Sequence, residues 1–532
     1  MTEAARSAGS NAAPAVCATD SGQPSPPSLQ EPGQGHTHPH AAPHAHGPHD
    51  HRHPHGHGPG HSHAHGPHDA TDAPAAVQLA CWATELTPSK VPSVIRRVVC
   101  RQLLDGLGCA LAAARSGQAA PALAVAAALG GPPEAAVPGL AEPLGAPAAA
   151  LALGALVHAL DYDDTHPGAL VHATASVLPA LFASAAAAGA DGPALLTAAT
   201  AGYETALRIG LAAPYRFHAR GLHATQVAAV FAAAVTASVL ERRSAEVTAH
   251  AVGIAGSSAG GLLEFLDAGS DTKALHPGLA AHAGLLAARL AAAGAEGPAT
   301  VLEGRNGVYA ALADQPVTAE ALVGDLGEMW HVSAVESKLH PCCHLLHRTL
   351  EAAAVLRGRL VPYGGAQALE SVVAEVPPGT EPVVCVPRPH RVAPRTPYEA
   401  KFALPFSTAL MLCDGTLTLD SYRADALDRP DVTALAARIS HTVRPYDGPD
   451  AEAPGVLRAR LRDGTELDVR VDGGPVRPPD AERVTAKFHA NAGGETALTR
   501  ELAERVLRLD REESIREVLC LASAVLAGHP AP

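Results

Sequence analysis

A cluster of acids and imidazoles, wedged between two apolar segments of helical length, constrains this chain more than any other feature. Residues 158–180 read HALDYDDTHPGALVHATASVLPA. Ala148–Leu160 before the cluster is apolar and helix-favouring, and Val177–Ala188 after it is apolar again. Alanine dominates both flanks, and aromatic residues make up 3% of the chain, which suits tightly packed helices with small side chains. His158, Asp161 and Thr165 are spaced i, i+3, i+7, which predicts one shared helix face. Asp163, Asp164, His166 and His172 crowd the same region. Burying such groups is costly unless opposite charge or a bound substrate compensates them. The stretch is therefore the first candidate for an active site.

The rest of the chain narrows the function classes. A formal net charge of −14 argues against nucleic acid as a partner. Nine cysteines (Cys17, Cys81, Cys100, Cys109, Cys342, Cys343, Cys385, Cys413 and Cys520) lack CxxC spacing, so a reducing, cytoplasmic setting is expected. No basic region followed by an apolar run opens the sequence, so no secretory signal is expected. Ala224–Leu240 is the longest strongly apolar segment. Thr225, Gln226 and Thr236 interrupt it and Glu241-Arg242-Arg243 ends it, which predicts a buried core helix and no membrane partner.

Four regions follow from periodicity and composition. Residues 1–74 are rich in Ala, Ser, Pro, Gly and His, and are expected to be a disordered His-rich tail. Fourteen of the thirty histidines fall in one tract: His36, His38, His40, His44, His46, His49, His51, His53, His55, His57, His61, His63, His65 and His68. Neutral imidazoles at this density bind divalent transition metals. The tract reads either as a solvated tail with incidental metal affinity or as a metal-handling segment. Its charge should also change near neutral pH.

Residues 75–336 read as helical. Helices are predicted at Ala76–Leu86 and Val91–Ala114, with a Pro-broken, looser run over Gly117–Gly145. From about residue 337 to 477 the period changes. Strands are predicted at Ser371–Val376, Val383–Val386, Lys401–Phe406, Ser440–Val443, Val456–Leu461 and Glu466–Val471. The last two are joined by a hairpin turn at Arg462-Asp463-Gly464. Helices at His347–Arg359, Thr408–Cys413 and Val432–Ala437 intervene, giving an α+β domain. Residues 478–532 turn helical again (Ala481–Ala490, Thr496–Leu509, Ser514–Ala527) and are expected to return to the first domain. The fold class is thus mainly α, with a small α+β part.

Several side chains outside the central stretch are candidates. Arg208 sits four residues after Glu204, which favours a local ion pair. His223 stands at the mouth of the Ala224–Leu240 helix, either as a cap or as a site residue. GIAGSSAGG at Gly253–Gly261 does not match a phosphate-binding GxGxxG and fits close helix packing better. Lys273 and His276 lie at a turn before a helix over Gly278–Ala293. Lys273, one of very few lysines, follows Glu264, Asp267 and Asp271, so a cation there reads as a substrate-carboxylate partner or as a solvated turn residue. In SKLHPCCHLLHRTLE, Pro341 is expected to open a helix, and Cys342, Cys343, His344 and His347 have poor spacing for tetrahedral zinc. No metal site is expected in the folded part.

Taken together, HALDYDDTHPG with HATASVLPALFA, GYETALRI, RGLHATQVAAVFAAA, SSAGGLLE, TKALHPGLAAHAGLLAARLAAAGAEGP, VLEGRNG, KLHPCCHLLHRTLEA and YEAKFALPF carry a resemblance. In this order, over roughly residues 76–532, the chain resembles the MmgE/PrpD family, which includes 2-methylcitrate dehydratase and cis-aconitate decarboxylase. The resemblance implies a large all-α domain completed by the C-terminal helices, a small α+β lid, a homodimer and no cofactor. It implies a pocket drawn from Asp161, Thr165, His172, His223, Lys273, His276 and Lys338. Lys273 and Lys338 would pair substrate carboxylates and stabilise an aci-carboxylate. His172 or His223 would be the base or acid. Asp161 would orient an imidazole and Thr165 would donate to the substrate. Three positions depart: His172-Ala173-Thr174 stands for the family's His-Pro-Ser, Cys343 for a histidine expected in cis-aconitate decarboxylase, which this chain resembles less after Lys338, and Phe406 for the tyrosine of many members. The leading expectation is a hydro-lyase of the 2-methylcitrate dehydratase type acting on a small di- or tricarboxylate. Decarboxylation and epimerisation through the same carbanion are the alternatives within the family. An alternative of another class is metal buffering by the histidine tract.

Overall fold

The computed structural model describes residues 73–474 and 480–527. The histidine tract His36–His68 lies outside the described residues. The architecture is mainly helical with one small mixed sheet, and two apolar cores organise it.

The first core is helix on helix. Ser93–Ser116, Ala146–His158, Ala173–Ala185, Gly192–Leu211, Ala224–Leu240 and His276–Ala292 bury most of their side chains in it. Alanine and glycine let these helices approach closely. A Cβ added at Gly284 would lie 2.6 Å from Ala233 Cβ and from the Val230 carbonyl, so this contact needs glycine. The C-terminal helices Ala481–Asn491, Ala497–Leu507 and Ile515–Ala527 add Phe488, Leu502, Val506 and Val518 to the same core. Ala224–Leu240 is a 17-residue helix in which Gln226 and Val239 alone are not buried. Among the described residues no helix is long and apolar enough to cross a membrane.

The second core lies between a sheet and two helices. Strands β1 (Leu369–Val376), β2 (Ile439–Val443), β3 (Gly455–Leu461) and β4 (Glu466–Val471) are ordered β2-β1-β3-β4. β1 is parallel to β2 (Val372 opposite Ile439) and antiparallel to β3 (Val372 opposite Ala459), and β3–β4 is the hairpin. Alternation puts Val372, Ala374 and Val376, with Leu457, Ala459 and Leu461, on the face covered by His347–Leu360 and Leu404–Asp414. The described cysteines are all free.

Several local expectations are corrected. The helix entering the central stretch ends at His158, and Asp161 adopts φ 51°, in the left-handed region. His158, Asp161 and Thr165 therefore share no helix face. Within 117–145 a helix forms at Ala120–Leu129, because Pro121 sits in its first turn, where a missing N–H costs nothing. The expected strand at Val383–Val386 is a short helix, Glu381–Val384, and the one at Lys401–Phe406 is a turn leading into Leu404–Asp414. Both runs are apolar, but prolines at their helix starts and the absence of pairing to a described strand decide against extension. Pro341 does not open a helix. A 3₁₀ turn begins at His344 and the α-helix at His347. The helix expected at Gly278–Ala293 starts two residues earlier, at His276.

Candidate active site

The chain leaves one buried helix at His158 and enters the next at Ala173, so residues 159–172 cross the core without continuous helical hydrogen bonding. Their backbone polar groups need partners there. Thr165 supplies a two-bond bridge to Glu336, with both N–H···O distances 2.9 Å. That bridge lays the central stretch beside the run that carries Lys338. His223 is held similarly, its N–H donating to the Gly261 carbonyl at 2.8 Å.

The left-handed turn aims the Asp161 carboxylate at two ammoniums. Lys273 Nζ donates to Asp161 Oδ1 at 2.7 Å and Lys338 Nζ donates to the same oxygen at 3.0 Å. All three groups are buried, at 1% exposure for Asp161, 7% for Lys273 and 1% for Lys338. Burial pushes the Asp161 carboxyl up, but the two lysines outweigh it and hold the group far below the ordinary carboxylate range. Burial pushes the Lys338 ammonium down, and Asp161 and Asp163 outweigh that, so it ends above its ordinary value. A third lysine, Lys401, donates to the Leu160 carbonyl at 2.7 Å. Burial lowers its ammonium to about 8 despite the nearby Asp161.

Four imidazoles pack beside this ion group. His158 Nδ1 meets Asp163 Oδ2 at 2.8 Å. His172 Nδ1 lies 2.7 Å from the Asp164 carbonyl and 3.0 Å from Thr165 Oγ1. His223 and His276 meet through their Nδ1 atoms at 3.0 Å. The ring centroids of His158 lie 4.6 Å from His172 and 5.8 Å from His223. Burial, reinforced by Lys273, puts His172 and His223 well below the usual imidazole value. His276 falls to about 4 through burial, His158 and Lys273. At neutral pH these three rings are uncharged. Asp164 behaves oppositely. Burial raises it to about 8 although Thr174 donates to both of its oxygens.

The structure thus brings Asp161, Thr165, His172, His223, Lys273, His276 and Lys338 into one connected group. Two expected roles change. The carboxylate that orients an imidazole is that of Asp163, while Asp161 spaces the two lysines. The Thr165 hydroxyl is engaged with His172. His166 turns away, its Nδ1 accepting from the Ala169 N–H at 3.1 Å and its ring facing His331. Glu204 does pair with Arg208, at 3.4 Å, and Asp325 joins them.

His158 and Asp163, which the sequence placed in the candidate stretch though the resemblance did not assign them to the pocket, belong to the group, as does Lys401, which was read as part of a strand. A compositional signal pointed to Lys401. The chain has five lysines against 34 arginines, and four of the five (Lys273, Lys338, Lys401 and Lys487) are buried. Where arginine is the general cation, a retained lysine marks a place that needs a compact ammonium.

His158, His172 and His223 each offer a nitrogen within 4.8 Å of the others, a set able to hold a metal ion. The surrounding charge decides against that use. Lys273 acts on both His172 and His223, and Lys338 acts on His172. Ammoniums this close to the rings oppose a divalent cation, although Asp163 stands against His158. The group sets lysine N–H donors beside neutral His172, His223 and His276, rings able to take up a proton.

Comparison with known proteins identifies the family. Residues 77–320 match the MmgE/PrpD N-terminal domain, and residues 340–512 match the MmgE/PrpD C-terminal domain. The chain belongs to the MmgE/PrpD family. A family relative, cis-aconitate decarboxylase from Aspergillus terreus, is 28% identical over 465 residues, covering 83% of this chain and 94% of the relative. The cis-aconitate decarboxylase-like protein oryM of Aspergillus oryzae is 28% identical over 479 residues, covering 84% and 97%. The human cis-aconitate decarboxylase is 27% identical over 400 residues, covering 72% and 80%. The two family matches span the central stretch, Lys273 and Lys401; Lys338 falls in the interval between them, and the histidine tract lies before both.

Proposed function

We propose that this MmgE/PrpD member is a lyase for a small di- or tricarboxylate. The observation that carries the reading is the buried Lys273–Asp161–Lys338 group beside neutral His172, His223 and His276. Ammoniums placed at a substrate carboxylate stabilise the aci-carboxylate formed when an electron pair arrives from the neighbouring carbon. No residue need leave the site for this; the substrate's carboxylate shares the N–H groups that Asp161 does not use.

The first reaction to test is decarboxylation of cis-aconitate, the activity named for the fungal and human relatives. The bond to the departing carboxylate breaks and carbon dioxide leaves. Its electron pair moves through the alkene into a dienolate conjugated with a remaining carboxylate. A proton then closes the far carbon. A bound polyanion raises the affinity of nearby imidazoles for protons, which makes His172 or His223 a donor only when substrate is present.

A second reading, dehydration of a 2-methylcitrate-type hydroxy acid, is favoured by one observation. The resting imidazoles are neutral, the state of a base that removes a proton next to a carboxylate. Proton NMR of the purified protein with cis-aconitate or with 2-methylcitrate separates the two. Loss of a carboxylate from the first supports decarboxylation, and alkene formation from the second supports dehydration. Inertness towards both, and towards citrate, would sink the lyase reading.

A further inference from the structure

The turn at Asp161 is held by more than the site lysines. Three consecutive carbonyls, those of Leu160, Asp161 and Tyr162, each accept from a different buried ammonium. Lys401 donates to the first at 2.7 Å, Lys338 to the second at 3.0 Å and Lys487 to the third at 2.7 Å. These lysines come from three distant segments, and Lys487 lies on the C-terminal helix Ala481–Asn491. A non-glycine residue in the left-handed region persists only when its surroundings over-determine it. Charge-assisted donors on the two flanking carbonyls and on Asp161 itself meet that need.

Lys487 is fully committed. Besides the Tyr162 carbonyl it reaches Asp105 Oδ1 at 2.7 Å, and its ammonium lies 3.9 Å from the Tyr162 ring centroid. Asp105 belongs to the helix Ser93–Ser116. One turn earlier on that helix, Gln102 donates to the Val335 carbonyl at 3.0 Å and accepts from Ser337 Oγ at 2.9 Å. Ser337 directly precedes Lys338. The same helix therefore steadies the backbone on both sides of the Asp161–Lys338 pair.

We propose that Lys487 is a positioning residue for the reaction: through the Tyr162 carbonyl it fixes the left-handed Asp161, and so the spacing of the Lys273 and Lys338 ammoniums. The proposal rests on the lyase reading for its consequence in catalysis, but not for its structural content.

Three full-length variants test it. Lys487→Met leaves the buried Asp105 without its partner, so its melting temperature should fall. Asp105→Asn/Lys487→Met removes both charges and should regain most of that loss, yet it still lacks the donor to Tyr162. Lys487→Arg keeps a cation and measures how far shape matters. In the single and the double Met variants, amide exchange over residues 159–165 should quicken at least tenfold. On the preferred carboxylate, kcat should fall about tenfold or more with KM changed less, and the pH profile of kcat/KM should shift. Lys487→Arg should restore part of both. A folded double variant with wild-type exchange and wild-type kcat overturns the proposal. So does a double variant that fails to fold, since the lysine then serves the core and not the turn. If the wild-type chain turns over no carboxylate at all, the lyase reading has failed, and the exchange measurement still decides this one.

Discussion

Two groups of imidazoles feel the same lysine and yet differ in the charges around them. Lys338 lowers both His172 and His347. The first group, His158, His172, His223 and His276, sits against Lys273, Lys338 and Asp161. The second, His340, His344 and His347, lines a cavity of about 630 Å³ with Glu336, Arg348 and Glu351. In the second group the polar side chains already meet one another: His344 faces Glu336 at 3.1 Å and Arg348 meets Glu351 at 3.0 Å. In the first, Asp161 is divided between two ammoniums, Asp163 meets His158, and Lys401 donates to a carbonyl. The first group holds four imidazoles and the second three. What differs is the ammonium charge beside them, and an excess of positive charge favours anions.

The largest expected effect tests that difference directly. Lys273→Ala should lower kcat/KM by about 10²–10³-fold, the cost of removing one donor aimed at developing charge. Steady-state kinetics on the preferred carboxylate checks it, and near-wild-type activity would break the contrast.

Lys401→Met should act more mildly and through pH. Its ammonium is charged below about 8 and loses its proton as the pH rises through that value. Wild-type KM should therefore climb above pH 8 as a cation disappears. The variant should show a KM raised about tenfold at pH 7, the worth of a charge-assisted contact, with no further rise through pH 8. A variant that keeps the wild-type alkaline limb would remove Lys401 from substrate binding.

In the second group, His344→Gln should change kcat/KM by less than about threefold, as a substitution outside the reacting groups does. A larger loss would show that the cavity belongs to the route of the substrate, and the two groups would then have to be treated as one site.

The contrast also shows what the sequence could and could not convey. Strands β1 to β4, the Ala481–Asn491 helix and the grouping of Asp161, His172, His223, Lys273 and Lys338 were legible. Alternation, helical periodicity and motif order depend on local residues. The conformation of Asp161 was not, because i, i+3, i+7 spacing speaks for a helix until three remote lysines claim the backbone. Lys401 was hidden in an apolar run that reads as a strand, and only the scarcity of lysine marks it. The partner of His158 was hidden by adjacency. Asp161, Asp163 and Asp164 are equivalent on paper, and the turn alone decides that one meets lysines, one an imidazole and one Thr174.

The smallest expected effect concerns the tract outside the described residues. From composition alone, the fourteen imidazoles in His36–His68 are expected to take up divalent transition metals. The imidazoles of the site differ in kind, since neighbouring ammoniums oppose a cation there. Deleting residues 1–72 should therefore remove most zinc or nickel uptake, measured by calorimetry, while kcat/KM on the carboxylate changes less than about twofold and is insensitive to chelator. The deletion ends before Pro74, whose carbonyl accepts the first bonds of the Ala75–Glu85 helix, so the fold keeps its opening contact. If turnover instead collapses with the tract, or returns only with added metal, the metal-handling segment and the carboxylate site work together, and the charge argument that separates them is wrong.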